Sequence, residues 1–168
     1  MIIRKLLISN RGEIASRIIR SAHDMGISCV AIYTEADTNT PYVREADQAF
    51  KLSDTYLNAK EILEIAKKND VDAIHPGYGF LSENANFANS VKKAGIKWVG
   101  PSANAIKKMG DKLTAKTLAE KVGVPTLPMG TSSKDAKNIG YPILVKAAAG
   151  GGGTVSYTHL TLPTTPYV

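Results

Sequence analysis

The sequence has a single cysteine and few aromatic residues, and both scarcities exclude classes of protein. Its 168 residues include one Cys, one Trp and three Phe, and aromatic residues make up 7% of the chain. One cysteine forms neither a disulfide framework nor a cysteine-rich zinc site. Cys29 lies in an apolar run, which favours a buried core thiol. So few aromatic side chains argue against a stacking platform for single-stranded nucleic acid.

Long apolar runs and a concentration of one charge sign are also lacking. No stretch is apolar over the length that a bilayer requires, and the N-terminal MIIRKLLISNRGE does not resemble a signal peptide. The formal net charge is +6, but Lys and Arg are scattered among Asp and Glu. Such scattering favours a small anionic ligand over a nucleic acid. We therefore expect a soluble, cytoplasmic protein that contacts neither a membrane nor nucleic acid.

The first part of the chain alternates between β-rich runs and segments with helical periodicity. The predicted strands cover residues 2–9, 28–34, 49–53, 71–75 and 96–99. The predicted helices cover 13–25, 59–69, a short piece within 37–46, and a helix that starts at an N-cap, Ser82, beside Glu83. This alternation predicts an α/β fold with a parallel sheet, helices on both faces and right-handed crossovers.

The helix predicted at 13–25 has an apolar face and a charged face. On a helical wheel the apolar face carries Ile14, Ile18, Ile19, Ala22 and Met25. The opposite face carries Arg17, Arg20 and Asp24. Gly26 is expected to end the helix.

The alternation stops at Gly100-Pro101, and the composition changes again near Gly123, where the residues alone predict a boundary. Asp111 is the expected N-cap of the second helix in this part. The predicted elements are helices at 103–109 and 112–122, a strand at 126–129, a small helix near 133–138 and a strand at 141–147.

Two glycine-containing turns differ from the best-known phosphate-binding patterns. The turn NRGEIAS after the first strand has one glycine, so the dinucleotide fingerprint GxGxxG is absent. Without it, Glu35 and Asp37 are most simply solvated loop residues. Farther on, Lys146 ends a strand and runs into a four-glycine stretch. That loop is not a Walker motif, and it is either a phosphate-binding loop or a flexible linker.

The loop HPGYGFLSEN follows a predicted strand, at the edge of a parallel sheet where ligands bind. Its two glycines flank Tyr78 and permit a sharp, exposed turn. From the residues alone His75 is a structural hydrogen-bonding residue rather than a metal ligand, and Glu83 is a helix-start carboxylate. Lys112 lies in the first turn of a helix, where a cation opposes the macrodipole and hints at an anionic ligand.

Taken together, four stretches resemble the amino-terminal part of biotin carboxylase. This is the ATP-grasp subunit or domain of biotin-dependent carboxylases such as acetyl-CoA carboxylase. The stretches are ISNRGEIASRIIRSA, HPGYGFLSENANFA, GP followed by MGDK, and GYPILVKAAAGGGG. The resemblance implies a Rossmann-like pre-ATP-grasp domain over residues 1–110 and the start of an ATP-grasp domain over 111–153. The alternatives are the same domain of a pyruvate or urea carboxylase, a non-catalytic dimerisation module, and a Rossmann oxidoreductase, which the missing fingerprint disfavours.

The resemblance also implies a reaction and its site. ATP, with Mg²⁺, would phosphorylate bicarbonate to carboxyphosphate, which supplies CO₂ to biotin on a carrier protein; a carboxyltransferase would use the carboxybiotin. Lys112 and Lys146 match the lysines that contact ATP phosphates. Tyr78 and Gly79 match the loop beside biotin and carboxyphosphate. The glycine-rich lid over the phosphates matches Gly150, Gly151, Gly152 and Gly153. The charged face of Arg17, Arg20 and Asp24 matches the family's homodimer face, although it is equally a solvated helix face.

Residues 154–168 depart from the family pattern, in which a basic residue and a glycine follow the four glycines. The segment TVSYTHLTLPTTPYV has no charged residue and no helix or strand expected to fit the fold. Its codons can be those of a transposase-end adapter used in sequencing libraries. We interpret 154–168 as such an adapter. The family's magnesium-binding and catalytic glutamates lie beyond this point, so we expect no metal ligand and no carboxylase activity in the 168 residues.

Overall fold

The computed structural model describes residues 2–145 and 158–160. The chain divides into two compact units, Met1–Lys107 and Lys108–Val168. None of the helices in the described residues combines the length and the apolar character needed to cross a bilayer.

The first unit alternates strands and helices, as predicted. Its strands are β1 (Lys5–Ile8), β2 (Ser28–Tyr33), β3 (Gln48–Lys51), β4 (Ala73–His75) and β5 (Lys97–Trp98). The helices that follow them are α1 (Gly12–Asp24), α2 (Pro41–Glu45), α3 (Ala59–Lys68), α4 (Ala85–Lys93) and α5 (Ala103–Gly110), whose last three residues belong to the second unit. A short 3-10 turn, Glu35–Asp37, precedes α2.

The five strands form one parallel sheet in the order β3-β2-β1-β4-β5. In register, Leu7 of β1 pairs with Val30 of β2 and with Ile74 of β4. The strand order reverses between β1 and β4, and such a switch point opens a crevice at the carboxyl ends of the two strands. The predicted α/β class and parallel sheet are confirmed.

Alternate side chains of the strands enter two separate apolar layers, as the two-residue period of a strand requires. Leu7, Val30 and Ile74 belong to the layer that α3, α4 and α5 cover. Leu6, Ile8 and Cys29 belong to the layer under α1 and α2. The prediction that Cys29 is a buried thiol is confirmed, since the residue is fully buried.

Helix α1 buries four of the five residues predicted for its apolar face: Ile14, Ile18, Ile19 and Ala22. Met25 was predicted wrongly, because its side chain is 74% exposed. Met25 is the C-cap, with φ −93° and ψ 2°. Its backbone is therefore not helical, and a helical wheel does not predict the direction of its side chain. Gly26 follows with φ +71°, the left-handed conformation expected of a residue that ends a helix.

Helix α4 begins later than the sequence suggested. Its N-cap is Asn84, whose side-chain oxygen accepts a hydrogen bond of 2.9 Å from the N–H of Phe87. Ser82 lies in the preceding turn, where its N–H donates to Gly79 O at 2.9 Å. The expected N-cap Ser82 was wrong because the buried Leu81 holds this turn outside the helix.

The second unit contains α6 (Lys112–Lys121), a 3-10 turn (Ser133–Asp135), α7 (Ala136–Ile139), β6 (Ile143–Val145) and β7 (Thr158–Leu160). The predicted N-cap of α6 is confirmed, since Asp111 Oδ1 accepts a bond of 2.7 Å from the N–H of Thr114. The predicted strand at 126–129 is wrong, because those residues form no regular element. The expectation of no strand after residue 153 is also wrong. Thr158–Leu160 pairs antiparallel with β6, and such main-chain pairing places little demand on side chains.

Candidate functional site at the carboxyl edge of the sheet

Asn10 links the two loops that meet at the switch point. It follows β1 and is 2% exposed. Its side-chain Nδ2 donates to the carbonyl oxygens of Pro76 at 2.7 Å and Tyr78 at 2.8 Å, in the loop after β4. Its Oδ1 accepts from the N–H of Arg11 at 2.9 Å. The amide therefore uses both donor hydrogens and its oxygen to hold one loop against the other. Sequence analysis missed Asn10 because a turn asparagine has no local signal of a partner 68 residues away.

Gly77 is the residue on which Asn10 packs. Its φ is +64°, and a β-carbon there would lie 2.7 Å from Asn10 Nδ2. Glycine is therefore required twice, by the backbone conformation and by the space that the amide occupies. Gly79 has a similar φ of +68°, but a β-carbon there would meet nothing within 4 Å.

His75 ends β4 and orders the start of the loop. Its Nδ1 accepts a hydrogen bond of 3.0 Å from the N–H of Gly77. In the neutral ring the hydrogen is then on Nε2. Burial, with a smaller contribution from the positive charge of Arg17, lowers the pKa of His75 and favours that neutral form. The prediction of a structural hydrogen-bonding histidine is confirmed.

Tyr78 projects from this loop, and its side chain is 58% exposed. Its hydroxyl donates to a carboxylate oxygen of Glu13, in the first turn of α1. That hydrogen bond raises the pKa of the Tyr78 phenol. The loop is thus held at two points, by Asn10 at its main chain and by Glu13 at the tip of Tyr78.

Asp37 is a buried anion next to this edge and not a solvated residue. It is 1% exposed, and Arg11 binds it with two hydrogen bonds, Nε to Oδ2 at 2.7 Å and Nη2 to Oδ1 at 2.5 Å. The guanidinium lowers the pKa of Asp37. The expectation of a solvated residue was right for the exposed Glu35 and wrong for Asp37, because the 3-10 turn directs Asp37 inward.

Two tyrosines extend this ion pair into the core. Tyr56 donates to Asp37 Oδ2 at 2.5 Å, and its hydroxyl lies 2.9 Å from that of Tyr42. The Tyr42 hydroxyl also lies 3.3 Å from the carbonyl of Ile32, to which it donates. Burial raises the pKa of both phenols, so both stay protonated. The network joins the turn that carries Arg11 to the segments after β2 and β3. It therefore gives the Asn10–Arg11 turn a rigid support.

Two family models match the chain in succession. The model described as biotin carboxylase, N-terminal domain, matches residues 2–106. The model described as carbamoyl-phosphate synthase L chain, ATP binding domain, matches residues 111–158. The first match spans more than half of the chain. The chain belongs to the biotin carboxylase family. An ATP-grasp domain begins after the first domain, as the resemblance implied.

Curated relatives of this family match most of the chain. Biotin carboxylase 1 of Bacillus subtilis is 48% identical, over 90% of this chain and 36% of that protein. The small subunit of 2-oxoglutarate carboxylase from Hydrogenobacter thermophilus is 44% identical, over 89% of this chain and 34% of that protein. The chain thus spans about a third of the length of these relatives.

Solved biotin carboxylase structures share the fold. The biotin carboxylase domain of Hydrogenobacter thermophilus 2-oxoglutarate carboxylase was solved as a dimer with MgADP, ADP and bicarbonate. It matches with a TM-score of 0.87 and 42% identity, over 95% of this chain and 38% of that chain. Pyruvate carboxylase of Rhizobium etli matches with a TM-score of 0.85 and 38% identity, over 94% of this chain and 16% of that chain. The predicted family is confirmed.

The site residues expected from the family are distributed over both units. Tyr78 and Gly79 lie in the exposed loop after β4, and Arg17, Arg20 and Asp24 lie on α1 with their side chains at least partly exposed. Lys112 is the first residue of α6, in the second unit. The remaining expected contacts to ATP lie outside the described residues; they are Lys146, Gly150, Gly151, Gly152 and Gly153.

Proposed function

We propose that the protein to which this chain belongs carboxylates biotin on a carrier protein, using ATP and bicarbonate. The observation that carries this proposal is the match of residues 2–106 to the biotin carboxylase N-terminal domain. The relatives include 2-oxoglutarate and pyruvate carboxylases. The proposal is therefore limited to the half-reaction on biotin that such enzymes share, and a separate carboxyltransferase reaction uses the product.

In this proposal the loop after β4 forms one wall of the biotin and carboxyphosphate site. Tyr78 offers an exposed ring, and Gly79 leaves space beside it for the ligand. Asn10 and Gly77 position this loop and do not contact the ligand. Because phosphoryl transfer depends mainly on positioning and charge neutralisation, a loop held at two points suits the task.

The lysines and glycines after residue 110 contribute the ATP contacts in this proposal. Lys112 and Lys146 neutralise phosphate oxygens, and the N–H groups of the glycine loop close over them. Mg²⁺ prefers oxygen ligands. In residues 2–145 and 158–160 the one group of three clustered ligand side chains contains a histidine and a cysteine. That set does not fit Mg²⁺, so we assign the magnesium ligands to the rest of the ATP-grasp domain. The 168 residues alone are then expected to be inactive.

The charged face of α1 is proposed as the contact between two copies of the protein. Arg17, Arg20 and Asp24 are accessible there, and the related Hydrogenobacter domain was solved as a dimer. Opposite charges on one face permit an isologous contact, in which an arginine of each copy meets the acid of the other. Sedimentation of the chain and of Arg17→Glu tests this proposal, since a solvated face predicts no difference between them.

A chimeric enzyme tests the proposed activity directly. Residues 1–153 would replace the matching part of Bacillus subtilis biotin carboxylase 1, which is 48% identical in this region. We expect ADP release that requires both biotin and bicarbonate, lost when Lys146→Gln or Lys112→Gln is introduced. Tyr78→Phe should lower activity and leave the stability of the chimera unchanged. A folded chimera that releases no ADP, or releases it without biotin, would overturn the proposal.

A further inference from the structure

Three side chains with metal-binding atoms meet at the edge of the sheet opposite to Tyr78. His23 lies near the end of α1, Cys29 near the start of β2, and Asp47 just before β3. In the described parts of the chain they form the one group of at least three His, Cys, Asp or Glu residues that could hold a metal ion. Their ligand atoms all lie within 4.8 Å of one another. The spacing 23, 29 and 47 resembles no metal motif, so the group has no local signature in the sequence.

Asp47 holds the other two residues together. Its Oδ2 lies 2.9 Å from His23 Nε2 and accepts a bond of 2.7 Å from the N–H of Cys29. Asp47 is thus a carboxylate already held in place by contacts with both other residues. A cation at this point would thus meet a preformed anion.

The buried thiol of Cys29 lies within 4.8 Å of the ligand atoms of His23 and Asp47 and makes only weak contacts of its own. Its Sγ contacts the carbonyl oxygens of Ile19 and Ile27 at 3.9 Å and 3.8 Å, which are long and weak contacts. The side chains of His23 and Asp47 are 40% and 48% exposed, so a cation can approach from solvent between them. Cys29 itself is fully buried on β2 and therefore supplies a fixed ligand behind the two movable ones.

We propose that His23, Cys29 and Asp47 form a binding site for a zinc-class divalent cation, with water as the fourth ligand. Zinc accepts nitrogen, sulfur and carboxylate oxygen at about 2.0–2.3 Å, which sets its tetrahedral ligands about 3.3–3.6 Å apart. The exposed His23 and Asp47 side chains need to move inward by roughly 1 Å to reach that geometry.

Binding converts the thiol to a zinc-bound thiolate and releases its proton to solvent. Because the site lies at the amino ends of β2 and β3, the cation would tie α1 to the sheet and would not contact the Tyr78 loop. The proposal is independent of the carboxylation reaction.

Cobalt(II) is the probe of choice, because thiolate coordination produces a near-ultraviolet charge-transfer band. Cys29 is the one cysteine among the 168 residues, so any such band arises from it. We expect the reduced full chain to bind one Co²⁺ with this band and with visible absorption of tetrahedral intensity. Added Zn²⁺ should abolish both. A chain that shows no thiolate band would overturn the proposal.

Variants separate this site from a His–Asp pair that merely covers a buried thiol. Cys29→Ser and His23→Gln should each weaken Zn²⁺ binding by at least about 10-fold, and Asp54→Asn, a change at an exposed acidic residue outside the group, should not. Zn²⁺ should also raise the Tm of the wild-type chain and leave that of Cys29→Ser unchanged. Circular dichroism without metal establishes that each variant is folded. Equal Zn²⁺ affinity in wild type and in folded Cys29→Ser would overturn the proposal.

Discussion

The side-chain amide nitrogen of Asn10 lies 2.7 Å from the point that a β-carbon on Gly77 would occupy. Real β-carbons essentially never come this close to another heavy atom. The amide of Asn10 cannot move away easily. It is buried and donates to two carbonyl groups of the same loop. The loop that carries Tyr78 is therefore fitted around one asparagine side chain.

Replacing Gly77 with alanine should cost more stability than the same change at Gly79. Both residues have positive φ, so both variants lose about 1 kcal/mol to backbone strain. Only Gly77→Ala also clashes with Asn10, which should add roughly 1–3 kcal/mol, as other overpacked sites do. Urea unfolding of the two variants measures the difference. If the two variants lost the same free energy of unfolding, the close contact between Gly77 and Asn10 would be contradicted.

Removing the amide should relieve part of the Gly77→Ala defect. Asn10→Ala leaves the carbonyl oxygens of Pro76 and Tyr78 without their donor, at a cost of about 1–3 kcal/mol. It also opens the space that the new β-carbon needs. The double variant should therefore lose less than the sum of the two single losses, by roughly 1 kcal/mol or more. Strict additivity would mean that Asn10 and Gly77 do not interact.

The ion pair of Arg11 with the buried Asp37 should make the stability of the protein depend on pH in the acid range. Asp37 has a lowered pKa, so its contribution is complete above the ordinary carboxylate pKa of about 4. As the pH falls through the folded-state pKa, Asp37 is protonated and that contribution is lost. At pH 7 Asp37→Asn should be less stable by about 1–3 kcal/mol. The difference in free energy of unfolding between wild type and Asp37→Asn should become smaller as the pH falls.

Glu35→Gln is the matched control for that experiment. Glu35 lies in the same 3-10 turn, but it is exposed and pairs with the exposed Lys51. Its replacement should change the free energy of unfolding much less than Asp37→Asn does, because an ion pair between exposed side chains contributes little to stability. Urea unfolding at several pH values measures all three proteins. If the difference in free energy of unfolding between wild type and Asp37→Asn stayed constant down to about pH 2.5, protonation of Asp37 would not affect stability.

The first domain, which we propose as residues 1–110, should fold without the rest of the chain. Both apolar layers of the sheet are formed by residues up to Ile106. The isolated piece should therefore unfold in one cooperative step, with protected amide hydrogens in β1, β2 and β4. Hydrogen exchange that is fast throughout the isolated sheet would show that the core needs the second unit.

The source DNA should depart from the printed sequence after Gly153. We expect codon 154 to encode Lys or Arg and codon 155 to encode glycine, as the family pattern implies. Amplification from genomic DNA across this position tests the adapter interpretation of residues 154–168. A genomic sequence that encodes VSYTHL in place would end that interpretation.

The five strands of the parallel sheet, most helices and the family followed from the sequence alone, because each leaves a pattern in neighbouring residues. The two-residue period of β1 and β2 and the apolar stripe of α1 are local patterns, and HPGYGFLSEN is a contiguous motif. The errors at Met25 and Ser82 concern the ends of helices. There the conformation of a single turn, and not the periodicity of apolar residues, decides where the helix begins or ends. The strand at Thr158–Leu160 was missed because its main-chain pairing with β6 leaves little trace in the side chains.

The tertiary structure alone decided which polar residues work together. Arg11 and Asp37 are 26 residues apart, and Asn10 and Tyr78 are 68 apart. His23, Cys29 and Asp47 meet because α1, β2 and β3 pack side by side. No local pattern records such a partner, since each residue alone is compatible with an ordinary turn or surface. At the buried Asn10 and Asp37 such contacts are strong, because an unpaired charge or amide is costly once water is excluded.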